Sequence, residues 1–194
     1  MWKPDPQRLQ ESAMAQFVKF LNNRHGVRLS IGDYKVLHSW SIADVGRFWL
    51  DLADHMGLGF SIEADAVLHG DSMDTMRWFA GQELNYAEQA LKATPTRPLD
   101  SVVVVHISEC GDRTTLTLAE LQELVASAQR GLRRCGVSHG DVVVALVPNS
   151  IEALVGFLAS ASIGAIWSSC SPEFGEQAVL DRFLQLKPAF LIAV

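Results

Sequence analysis

The sequence predicts an α/β protein: a partial doubly wound, mainly parallel sheet with flanking helices, preceded by an N-terminal helical region. Three observations carry this expectation. From about residue 100 onward, short apolar runs alternate with amphipathic helical patterns. Residues 1 to about 94 hold four of the five tryptophans and show helical spacing instead. Between the two regions, Ala93-Thr94-Pro95-Thr96-Arg97-Pro98 is small, polar and proline-containing. Its X-Pro steps disfavour helix, so the boundary is placed there, with residues 1–94 as a helical region and 95–194 as the sheet region.

In the first region, Glu11 to Arg24 carries Met14, Phe17, Val18 and Leu21 at helical spacing, and His25-Gly26 supplies a stop. Leu37, Trp40 and Ile42 lie close together, and Val45, Phe48, Trp49, Leu52 and Met56 form a second apolar stripe. Large aromatics on short helices read as packing rather than as a cofactor box.

In the second region, Val102 to Ile107 is an apolar strand to which Arg113 to Leu116 can pair through a Gly111-Asp112 turn. Thr117-Leu118-Ala119-Glu120 has capping-box form, and a helix follows to Arg134 or Cys135. Its Leu121, Leu124, Val125, Ala128 and Leu132 share a face. Glu120 and Glu123 near its start and Arg130, Arg133 and Arg134 near its end suit the helix dipole. Gly136 serves as a left-handed cap and Gly140-Asp141 as a turn before a strand from Val142 to Val147, too apolar to be solvated on one face.

Asn149 and Glu152 open a helix through Ser162 that is apolar nearly all round and so buried. A strand from Ala165 to Ser169 follows. Ser171-Pro172-Glu173 then offers a cap, a proline and an acid for a helix that turns Val179, Leu180, Phe183 and Leu186 inward and stops at Pro188. Ala189 to Val194 reads as a last buried strand. Three strand-helix-strand steps imply a parallel sheet with right-handed crossovers. Because the sequence stops inside an apparent strand, a truncated domain is expected.

Composition narrows the function classes. With 48% hydrophobic and 20% charged residues the chain is neither collagen, coiled coil nor long disorder. A net charge of -6 without a basic patch argues against nucleic acid or an anionic membrane as partner. Cys110, Cys135 and Cys170 are odd in number and far apart, which fits reduced thiols better than a disulfide framework. No signal-peptide pattern and no run of about 18 apolar residues is present, so a cytoplasmic protein is expected.

Catalytic motifs are sparse. There is no G-x-x-x-x-G-K-[ST] and no G-x-S-x-G, and Gly57-Leu58-Gly59 is followed by Ile62 where a dinucleotide fingerprint needs glycine. His25, His38, His55, His69, His106 and His139 never form a close pair with a third ligand, so no metal site is expected. Acidic pairs such as Glu109/Asp112 and Glu63/Asp65 are indistinguishable from solvated loop charges. No catalytic residue stands out.

One place invites a ligand. In open parallel sheets ligands bind beyond the carboxyl ends of strands, and Trp167-Ser168-Ser169-Cys170-Ser171-Pro172 reads as a turn between a strand and a helix N-terminus. Its hydroxyls, backbone donors and indole face suit an adenine or a phosphate. Taken without any resemblance, the same residues are better accounted for if Ser171 caps the helix and Trp167 packs in the core.

Several strings, taken together, carry a resemblance: Trp2-Lys3-Pro4, Tyr34-Lys35-Val36-Leu37-His38-Ser39-Trp40-Ser41, Phe48-Trp49, Arg77-Trp78-Phe79, Glu83-Leu84-Asn85-Tyr86-Ala87-Glu88, Pro148-Asn149, and Ser162 through Gly175. With these the sequence resembles the N-terminal part of the acetoacetyl-CoA synthetases, AMP-forming acyl-CoA ligases of the acyl-adenylate-forming superfamily. The resemblance implies a ligase using ATP, CoA and Mg2+, with acetoacetate as its small-molecule substrate. It also implies that the phosphate loop, acyl pocket, hinge and catalytic lysine lie beyond Val194, as do the basic residues for the CoA 3'-phosphate. The 194-residue piece is then expected to be inactive and to bind no cofactor tightly.

By position, the resemblance assigns Trp167, Ser168 and Ser169 to the adenine end of CoA, with serines where the acetyl-CoA branch has glycines and hence less room for backbone approach. It leaves room for a homo-oligomer whose second copy covers an unpaired sheet edge. The alternatives are a free-standing binding or assembly module that uses the tryptophan-rich region, and a ligase for another short acyl acid.

Overall fold

The structure, a computed structural model, describes residues 5–58, 60, 67–70 and 72–193. Trp2-Lys3-Pro4, Gly59, Ile62, the Glu63/Asp65 pair and Val194 lie outside the described residues. The chain divides into two compact units, Met1–Glu83 and Leu84–Val194.

The first unit contains α1 (Pro6–Gln10), α2 (Ala13–His25), α3 (Tyr34–Ala43), α4 (Val45–His55) and a short antiparallel pair, β1 (Leu68–His69) with β2 (Arg77–Trp78). Side chains start each helix: Asp5, Ser12, Asp33 and Asp44 accept backbone N–H bonds from the first turns of α1 to α4. Gly26, at φ 66°, ends α2 in the left-handed conformation that the sequence pattern requires. Phe17, Val18 and Leu21 of α2 and Leu37 of α3 are buried, with Phe20, Trp40, Phe48 and Leu52 packed around them. Met14, Ile42, Trp49 and Met56, expected inward, are exposed. The helices are too short to bury more than one narrow stripe each.

The second unit contains α5 (Tyr86–Leu91), β3 (Val102–Ile107), β4 (Arg113–Thr117), α6 (Leu118–Arg134), β5 (Val142–Leu146), α7 (Ile151–Ile163), β6 (Ile166–Cys170), α8 (Glu176–Leu186) and β7 (Phe190–Ala193). β5 lies between β6 and β7, parallel to both. The chain passes from β5 through α7 to β6, then through α8 across to β7 on the opposite side of β5. Strand alternation sends Val143 to one face, into a cluster with Leu121, Val125, Leu158 and Ala159 of α6 and α7. Val144 faces the other way and packs with Cys170, Val179 and Phe183. The sheet is therefore covered on both faces, the doubly wound arrangement.

Three details depart from the sequence reading. First, β3 does not join the parallel sheet; β3 and β4 form a separate antiparallel hairpin, so the described sheet closes two strand-helix-strand steps rather than three. Both edges of β5 are taken by β6 and β7, which leaves β4 no ladder there. Second, Ser150 rather than Asn149 caps α7. Third, Ser171-Pro172-Glu173 does not open α8. The Phe174 N–H donates to the Ser171 carbonyl at 3.1 Å in a turn with proline at its second position, and the helix begins at Glu176 behind Gly175. Leu180 and Leu186 of that helix are exposed, whereas Val179 and Phe183 are buried.

The helix α5 belongs to the sheet unit. Ala87 is fully buried in the α6/α7 cluster, the Asn85 side-chain amide donates to the Ala161 carbonyl at 2.9 Å, and Gln122 donates to the Leu91 carbonyl at 2.8 Å. The compact division thus falls ahead of the Pro95–Pro98 segment.

Candidate functional site

The place where the fold can receive a ligand is the carboxyl end of the parallel strands, where the N-terminus of α7 also points. After β5, the Val147 N–H donates to the Cys170 carbonyl at 3.1 Å, tying the ends of β5 and β6 together. Pro148 and Asn149 follow, and the Ser150 hydroxyl accepts the Ala153 N–H at 3.4 Å to start α7. The Ser150 hydroxyl and the backbone N–H of Glu152 itself hold the Glu152 carboxyl below the usual carboxylate range. Partial burial opposes this, and His106 adds a favourable charge.

These elements and the end of β3 enclose a cleft of about 670 Å³ lined by His106 to Glu109, Pro148 to Ser150 and Ser171 to Glu173. The size suits a small molecule. Hydroxyls, an amide and an imidazole line it, with Glu109 and Glu173 at the same surface and neither lysine nor arginine among the lining residues. Such a cleft can hydrogen-bond a polar ligand, but it supplies no cation to neutralise a phosphate.

Trp167, Ser168 and Ser169 do not form the turn expected of them. They lie inside β6, in register with Val143, Val144 and Ala145 of β5, and the turn comes after them at Ser171–Phe174. The ladder continues to the Leu146/Cys170 pair, and this parallel pairing carries the strand past the serines. Trp167 is half-buried and directed at α7, with its ring 6.4 Å from that of Phe157. Its indole is a packing element rather than an open face. Ser169 is exposed and Ser168 half-buried.

Of the cleft residues, Ser108 and Ser150 are not singled out by the sequence, and His106 enters there only as one of six scattered histidines. The signal available was a polar Asn149-Ser150 step after an apolar strand and one histidine within a valine run. Elsewhere, His25 binds Asp51 and His55 packs against Phe17 and Phe20. Among the described residues no three His, Cys, Asp or Glu side chains group as metal ligands. No helix among them is long and apolar enough to cross a membrane.

A family model described as AMP-binding enzyme matches residues 91–194, more than half of the chain. The chain belongs to the AMP-binding enzyme family. In this AMP-binding family member, residues 34–90 match a second model, the acetyl-coenzyme A synthetase N-terminus. An acetoacetyl-coenzyme A synthetase of Rhizobium meliloti is 39% identical over 192 residues, covering 99% of this chain and 29% of the relative. One from Xenopus tropicalis is 36% identical, covering 100% of this chain and 28% of the relative. The solved acetoacetyl-CoA synthetase of Streptomyces lividans superimposes with a TM-score of 0.87 at 38% identity, covering 99% of this chain and 29% of that one. The chain therefore spans less than a third of the length of the relatives it matches.

Proposed function

We propose that the chain is the N-terminal portion of an acetoacetate-CoA ligase. Residues 1–94 serve as its helical extension and 95–194 as the first part of its adenylate-forming domain. The observation that carries this reading is the match of the chain, over 99% or more of its length, to acetoacetyl-CoA synthetases in sequence and in fold.

In the reaction, an acetoacetate carboxylate oxygen attacks the α-phosphorus of Mg2+-bound ATP, forming the acyl-AMP and releasing pyrophosphate. The CoA thiolate then attacks the acyl carbon, forming the thioester and releasing AMP. Cation-dependent binding of the phosphates falls to residues outside this chain, since the cleft at the strand ends holds no lysine or arginine. Within this chain the role left is the adenine end of CoA, assigned to Trp167, Ser168 and Ser169. The exposed Ser169 hydroxyl makes the contact, and Trp167 acts by packing. The protein works in the cytoplasm and takes small-molecule substrates.

The test is to express the complete reading frame that contains these residues and to follow pyrophosphate release and thioester formation with acetoacetate, propionate and acetate. Thioester formation with acetoacetate in preference to the other acids supports the reading. Preference for another acid, or no ATP-dependent thioester at all, overturns it.

A further inference from the structure

We infer that Gly156 is a positioning residue for the CoA site, acting through Trp167. The inference rests on the proposed ligase reading and deepens it by naming how the β6 contact surface is held. Gly156 lies at the buried centre of α7, where its φ is ordinary, so no backbone strain calls for glycine. Space does. A Cβ added at Gly156 would lie 2.9 Å from Cη2 and 3.2 Å from Cζ3 of Trp167, and 3.4 Å from the Ile192 Cδ1. The indole thus fills the gap between α7 and the sheet, one ring edge against the bare helix backbone.

The ring has little freedom to give way. Phe157 stands on one side, itself 5.5 Å from the ring of Tyr86 on α5, and Ile192 of β7 stands beside Gly156. An added methyl at Gly156 must therefore push the indole, and with it β6, away from α7. Two and four residues beyond Trp167 in this edge strand come Ser169 and the start of the Ser171–Phe174 turn, at the ligand-receiving end of the sheet. A shift at Trp167 is transmitted there through a rigid strand.

A second glycine provides the control. Gly131 in α6 also has ordinary φ, but nothing lies within 4 Å of a Cβ built on it. Both Gly→Ala changes bring the same gain in helix propensity, so only the steric consequence at Trp167 differs.

The experiment uses the complete reading frame and reads the two half-reactions separately: acetoacetate-dependent ATP–pyrophosphate exchange, and CoA-dependent thioester formation. Gly156→Ala is expected to raise the KM for CoA roughly tenfold while leaving exchange and the KM for ATP within about twofold. Gly131→Ala is expected to change neither. The double variant Gly156→Ala/Trp167→Phe lacks the obstructing ring edge, so its KM for CoA is expected to match that of Trp167→Phe alone. Equal losses in both half-reactions, an unchanged KM for CoA in Gly156→Ala, or a double variant whose KM for CoA lies several-fold above that of Trp167→Phe overturns the inference. If Gly156→Ala alone does not fold, the comparison of the double variant with Trp167→Phe is read on the same criteria. A wild-type enzyme that exchanges pyrophosphate but makes no CoA thioester refutes the ligase reading instead.

Discussion

Asp51 carries a carboxylate to a position only 1% exposed in the helical unit. The Arg24 Nε at 3.0 Å and the His25 Nε2 at 2.7 Å satisfy its two oxygens, and Arg24 also reaches Asp54 at 2.6 Å. Removing one partner of a buried pair costs more than the pair contributes, because the other charge is left without compensation. Arg24→Ala, which leaves Asp51 with His25 as its remaining partner, is accordingly expected to destabilise the protein by about 2 kcal/mol. Asp51→Asn, which leaves no buried charge, is expected to cost less. Urea unfolding followed by tryptophan fluorescence distinguishes the two, since Trp40, Trp49 and Trp78 all lie in this unit.

Gly164 illustrates a different residue-scale demand. Its φ is 81° and a Cβ there would run into the His139 ring, so backbone and space both exclude a side chain. Gly164→Ala is expected to cost about 2 kcal/mol, measurable as a lowered urea midpoint. None of this was visible in the sequence. Asp51 stands in a string of mixed polar and apolar residues, and only the crossing of α2 and α4 shows that it is buried.

At the scale of elements, α6 shows local signals agreeing with tertiary ones. Thr117 and Glu120 form the reciprocal capping box that the sequence predicts, and Leu121, Val125 and Leu132 are buried on the predicted face. Thr117→Ala is expected to lower stability by about 1 kcal/mol. The backbone N–H and hydroxyl of Thr117 hold the Glu120 carboxyl below its ordinary range. The folded state thus favours the ionised form. The resulting stabilisation is complete above the ordinary carboxylate range and is lost as pH falls through the depressed folded value. The difference in Tm between the wild type and Glu120→Ala should therefore be present at neutral pH and shrink to nothing in acid. A difference that persists in acid would contradict this assignment.

Helix α8 shows the opposite case, in which a legible local signal was overridden. Ser-Pro-Glu is a good helix opening, yet Ser171 to Phe174 close a turn first, and the ring of Phe174 stacks under Arg182 at 4.5 Å. The four residues expected inward split, Val179 and Phe183 buried and Leu180 and Leu186 exposed: Phe183→Ala is expected to cost about 3 kcal/mol, while the 44% exposed Leu180 tolerates glutamine with little change in thermal midpoint.

For the molecule as a whole, the class and much of the element order were legible in the sequence, because hydrophobic period, caps and turn residues are local quantities. The seven strings that carry the family resemblance need no contact to be read, and the family match agrees with them. The chemistry follows from the same scale: the 194 residues alone, given ATP, Mg2+, CoA and acetoacetate, are expected to yield no acetoacetyl-CoA by thioester absorbance, since no phosphate loop is present in them. What the sequence by itself determined is an α/β chain with a helical region before it, the caps of α2 and α6, and membership of a ligase-like family. What only the tertiary structure decided is which strands share a sheet, that Trp167 points into the gap above Gly156, and that β6 runs through the serines to Cys170 before the chain turns. The reason is physical: a strand's partner and the space left for a side chain are set by residues distant in sequence, so no local pattern can encode them.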